Sequence, residues 1–106
     1  MAKYLLKVNY TIDGVKGVLA AGGSARRKAA EEAARSVGGT VESFYFAFGG
    51  TDVFVIADFP DKEAAASLAM TVTAGGGATV ETVVLLTPEE TDAAVAKKVI
   101  YKPPGS

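Results

Sequence analysis

The feature that most constrains this chain is a pair of β-rich runs, residues 40–48 and 51–59, that meet at Gly49-Gly50. Glycine reaches positive φ without steric cost, so the pair reads as a hairpin closed by a tight turn. Simple alternation sets Phe44, Phe46 and Phe48 against Val41, Tyr45 and Ala47, and Phe54 and Ile56 against Val53, Val55 and Ala57. Both faces are then apolar, whereas an antiparallel sheet with one face in water alternates more cleanly. An exposed apolar patch of that size invites aggregation, so the second face is expected to be covered. The expected cover is a second copy, giving a homo-oligomer through the sheet; the alternative is a monomer that covers the face with its own C-terminal helix and tail.

Around this hairpin the period changes. Tyr4, Leu6, Val8 and Tyr10 share one side of a strand over residues 3–10, with Lys3, Lys7 and Asn9 on the other. Thr11 can cap a short helix carrying Ile12, Val15, Val18 and Leu19, although Gly14 and Gly17 weaken it by about 1 kcal/mol each. After Gly22-Gly23, Ser24 is expected to cap a helix over 25–37 with Ala25, Ala29, Ala30, Ala33, Ala34 and Val37 on one face, stopped at Gly38-Gly39. Pro60-Asp61 opens a helix striped with Ala65, Leu68, Ala69 and Val72, Gly75-Gly76-Gly77 stops it, and a strand over 78–86 follows. Thr87-Pro88-Glu89-Glu90 then starts a helix to about Lys98, and Val99-Ile100-Tyr101 is expected to be extended and able to pair as an edge strand.

Strand-helix-strand-strand-helix-strand is the order of a ferredoxin-like α+β fold, an antiparallel sheet with helices on one face. A chain of 106 residues fits it as a single domain over residues 1–106.

Cysteine and histidine are both absent. Disulfides, thiolate nucleophiles and a Ser-His-Asp triad are therefore excluded, and zinc, copper and iron-sulfur sites lose their usual ligands. No acidic cluster has calcium-loop spacing, so neither a metal nor a cofactor is expected. Eleven basic against twelve acidic residues leave a formal charge of −1, which offers no general attraction for nucleic acid or an anionic membrane. The opening Met1-Ala2-Lys3-Tyr4-Leu5-Leu6-Lys7 lacks the long apolar core of a signal peptide, and the expected compartment is the cytoplasm.

Gly49-Gly50-Thr51-Asp52 followed by Asp58-Phe59-Pro60-Asp61 resembles the GYD-domain family. Lys3-Tyr4-Leu5-Leu6, the Gly22-Gly23-Ser24 break with its arginines, Glu42-Ser43-Phe44-Tyr45-Phe46 and Leu85-Leu86-Thr87-Pro88-Glu89-Glu90 extend the resemblance over nearly the whole chain. Thr51 stands where the family motif has its tyrosine, so no role of that hydroxyl carries over. The resemblance implies a fold of the dimeric α+β barrel type and leaves function to be argued from the site.

Two groups of residues are candidates for that site. Ser24, Arg26 and Arg27, at a helix start with free backbone N–H groups, could hold a phosphate or carboxylate. They also fit a plain helix break with solvated arginines, since the lysine of a phosphate-binding loop is missing. Tyr10, Tyr45 and Asp52, with Glu42 or Asp58 near, could place an acid and a phenol about a substrate. They equally fit core or interface tyrosines and a turn-capping aspartate. The RNA-binding sheet signature is absent, because Thr51-Asp52-Val53-Phe54-Val55 carries an acid where that motif needs a base. The leading expectation is a homo-oligomeric module that binds a small organic or anionic ligand in the cleft between sheet and helices. The resemblance to such barrels adds a second, a cofactor-independent oxygenase or isomerase on an aromatic or polyketide-like substrate with Tyr45 and Asp52 as catalytic residues. A structural assembly module is the third.

Overall fold

A computed structural model describes residues 1–106. The elements are β1 (Ala2–Tyr10), α1 (Ile12–Ala21), α2 (Gly23–Ser36), β2 (Thr40–Phe46), β3 (Val53–Phe59), α3 (Lys62–Ala74), β4 (Ala78–Leu85) and α4 (Pro88–Val95). The strands form one sheet in the order β2-β3-β1-β4, with every neighbouring pair antiparallel. This is the expected ferredoxin-like arrangement.

The core lies between one sheet face and the helices. Tyr4 and Leu6 of β1 and Val53, Val55, Ala57 and Phe59 of β3 are buried there with Ala34 of α2 and Ala65 of α3. Each strand contributes alternate residues, as the pleat requires. The Tyr4 and Phe59 rings meet edge-on at 5.7 Å.

Glycines set the element ends. Gly22, at φ 85°, ends α1 and begins α2. At the other end of α2, Gly38 has φ 82°, its N–H donates to the Arg35 carbonyl, and the Gly39 N–H donates to Ala34. Two orphan carbonyls of the last turn, those of Ala34 and Arg35, are thereby satisfied.

Four local expectations are corrected. Ser24 does not cap α2; the helix begins two residues earlier than expected, at Gly23 behind Gly22. The hairpin has no tight turn at Gly49-Gly50: β2 ends at Phe46, β3 begins at Val53, and the positive φ falls on Phe48, at 55°. The Ala47 N–H still donates to the Asp52 carbonyl at 2.9 Å, which closes the connection around residues 48–51, while the Asp52 N–H donates to the Val8 carbonyl and to Asn9 Oδ1 and ties the same residue to β1. Third, α4 stops at Val95, and residues 99–101 pair with no strand; everything from Pro88 to Ser106 is exposed, so this arm does not cover the sheet.

The fourth concerns β2. Its register slips between Val41 and Ser43, leaving Glu42 as an extra residue. Val41 therefore turns to the helix side and packs on the core with Phe44 and Phe46, instead of facing away from them. The open face is consequently less apolar than alternation implies. Ser43, Ile56, Leu5 and Val83 form its central row. Lys3, bonded to Glu42 and to Asp58 at 3.1 Å, and Lys7, 3.3 Å from Glu81, flank that row with ion pairs.

Candidate functional site

α2 presents a stripe of Arg26, Ala29, Ala30, Ala33 and Ala34, spaced three and four residues apart, to the sheet. Opposite lie large side chains, among them Phe44, Val55 and Leu6, and α3 closes the side with Leu68 and Val72. Alanines do not fill the space between layers, and a cavity of about 110 Å³ remains. Arg26 is the one charged residue in its wall.

Beyond Arg26 the cavity adjoins an outer cleft of about 520 Å³ bounded by α1, the start of α2 and the end of α3. Arg26, Tyr10, Val72 and Ala78 belong to both spaces and so form the partition between them. Gly14 and Gly17 of α1 line the cleft, as does Asp13, its one acidic residue. Gly14 is required where it stands, because a Cβ there would collide with the Gly77 carbonyl oxygen. Thr11 holds the same junction, its N–H donating to Gly77 at 3.0 Å and its hydroxyl to the Gly76 carbonyl at 2.8 Å.

The structure distributes the expected residues among four places. Arg26 and Tyr10 meet at the cavity mouth. Ser24 and Arg27 lie on a separate surface groove of about 250 Å³ with Gly23, Phe44 and Phe46. The two arginines part because consecutive helical residues point about 100° apart. Tyr45, paired with Phe54, is on the open sheet face and 71% exposed. Asp52 lies in the β2–β3 connection, where one carboxylate oxygen accepts from the Tyr10 N–H at 2.8 Å. Neither Tyr45 nor Asp52 lines the cavity.

Two ionisable groups are displaced from their ordinary values, both outside the cavity. Hydrogen bonds to Glu42 and then Asp58 raise the Lys3 ammonium. The N–H and hydroxyl of Thr87, which bond with Glu90 in the capping box of α4, hold the Glu90 carboxyl down. Of the cavity's lining, only Arg26 and Tyr10 were among the sequence candidates; the apolar walls were not. Their signal was the alanine face of α2, which reads as close packing until the helix-to-sheet spacing is known.

A four-stranded antiparallel sheet with helices over one face and an apolar cavity beneath them defines a ferredoxin-like α+β protein with its candidate site in the sheet–helix layer. The sequence model of the GYD domain matches residues 4–95. The chain belongs to the GYD-domain family. Comparison with curated proteins and with solved structures finds no match. No helix is long and apolar enough to cross a membrane.

Proposed function

We propose that the protein is a cytoplasmic binding module that takes a small organic ligand into the cavity between its sheet and its helices. One observation carries this reading: a domain of 106 residues keeps about 110 Å³ of apolar space at its centre. Protein interiors are close-packed, with few voids larger than a water molecule, and each void forfeits dispersion contacts. A space retained at that cost and opening beside a cation is suited to a guest. Catalysis by Tyr45 and Asp52 has less support, since these two and Arg26 stand at separate places.

The test is to fill the space. Ala33→Leu adds three carbons to the cavity wall, and a set of small organic molecules that bind the wild type by NMR titration should lose binding to this variant while it stays folded. Unchanged binding to the filled variant defeats the reading.

The open sheet face supports self-association as a second property. Tyr45 and Phe54 are adjacent, partly or largely exposed, and beside the Ile56–Leu5–Val83 row, while the arm beyond β4 leaves them uncovered. A second copy meeting this face would bury the row and keep the flanking ion pairs at its rim.

A further inference from the structure

The α2 stripe that faces the sheet is alanine at four positions and arginine at one. The other charged residues of this helix, Arg27, Lys28, Glu31, Glu32 and Arg35, fall off the stripe, as expected for an amphipathic helix. Arg26 alone stands on it, at the end where the cavity meets the outer cleft. None of the chain's ion pairs includes Arg26, and Asp13, the one acid of the cleft, does not pair with it. Arg26 therefore brings an unpaired, forked donor to a position shared by the apolar chamber and the outer cleft.

From this placement we infer that the cavity's ligand is a short-chain monocarboxylic acid, its tail in the chamber and its carboxylate on Arg26. The inference rests on the binding reading above and names the chemical class. An apolar wall excludes the charged end, since a bare carboxylate inside would lose its hydration without compensation. At the mouth, the planar fork of Arg26 matches a carboxylate through two parallel hydrogen bonds. Size sets the tail. A dry apolar cavity of ~150 Å³ holds benzene, so by proportion this one, at about 110 Å³, takes roughly four or five non-hydrogen atoms. Acids of about five carbons meet both conditions. Acetate has too little tail, and 1-pentanol has the tail without the charge.

The experiment is an NMR titration of the full chain with pentanoate, 1-pentanol and acetate, repeated on Arg26→Gln and Ala33→Leu. A charge-assisted pair should make pentanoate bind about tenfold more tightly than 1-pentanol. Arg26→Gln should bring pentanoate to the level of 1-pentanol without moving 1-pentanol, and Ala33→Leu should weaken both. Equal binding of pentanoate and 1-pentanol to the wild type, or an acid preference that survives Arg26→Gln, overturns the acid assignment and leaves the cavity reading intact. In that case Arg26 only lays its stem along the apolar rim. If neither compound binds the wild type, or if binding is indifferent to Ala33→Leu, the cavity reading falls with it.

Discussion

Gly39 shows how tightly single positions are fitted in a chain that also keeps a cavity. A Cβ built on it would stand 2.6 Å from Phe59 Cδ1 and 2.7 Å from the Asp58 carbonyl oxygen. The Phe59 ring borders the cavity, but the Asp58 carbonyl is backbone and cannot swing aside. Gly39→Ala should cost about 2 kcal/mol in denaturant unfolding, the usual scale of overpacking; a cost near zero would mean that the α2–β2 corner yields. Glu90 makes a contrasting residue-scale case on the surface. Its carboxyl is lowered in the folded chain, so its contribution to α4 is fully present above the ordinary glutamate value of 4.5 and is lost as pH falls through the lowered one. Amide exchange in the first turn of α4 should accelerate in acid, and Glu90→Gln, which keeps a side-chain oxygen, should remove that pH dependence. At this scale the sequence was partly legible. Thr87-Pro88-Glu89-Glu90 announced its capping box, and Asp52 had the chemistry of a turn residue. Ser24 was misleading, because Gly22 reaches the φ of 85° that the α1–α2 break demands and starts the helix before Ser24 is reached.

Among the elements, glycine and proline punctuation gave the order and type of every strand and helix, and the β1 and α3 patterns matched their faces. Two elements were less legible for one shared reason: the deciding contact comes from a distant strand. Asp52 bonds with Tyr10, Val8 and Asn9 of β1 as well as with Ala47 across the hairpin, so the β2–β3 connection is fixed in part by β1. Glu42 is the extra residue of the β2 bulge and bonds with Lys3 of β1. No local window contains both partners. The same holds for the cavity. The alanine stripe of α2 was visible, but whether small side chains draw two layers together or leave space between them depends on Phe44, Leu68 and the other large residues that hold the layers apart. Arg26 and Arg27 were named together from sequence, and helical geometry separates them into different sites.

The whole molecule is elongated. Its Cα radius of gyration is 16.7 Å, against roughly 13 Å for a compact chain of this length, and it measures 56 Å along its longest axis. The exposed arm from Pro88 onward accounts for the difference, carrying Val95, Val99, Ile100 and Tyr101 into solvent. With the arm extended, no part of the single chain beyond β4 covers the open face. Sedimentation of the wild type should give a dimer or higher assembly, and Tyr45→Asp, at a position 71% exposed in the single chain, should dissociate it without unfolding. A monomeric wild type would sink the self-association reading, and an assembly indifferent to Tyr45→Asp would move the interface elsewhere. The cavity beneath α2 has another consequence at this scale, in volume rather than in energy. Unfolding abolishes internal voids, so the unfolded chain occupies less space than the folded one, and hydrostatic pressure drives the equilibrium towards it. Pressure unfolding with and without a guest therefore reads whether the chamber holds water: a guest that fills empty volume lowers the sensitivity to compression, and one that only displaces water leaves it unchanged.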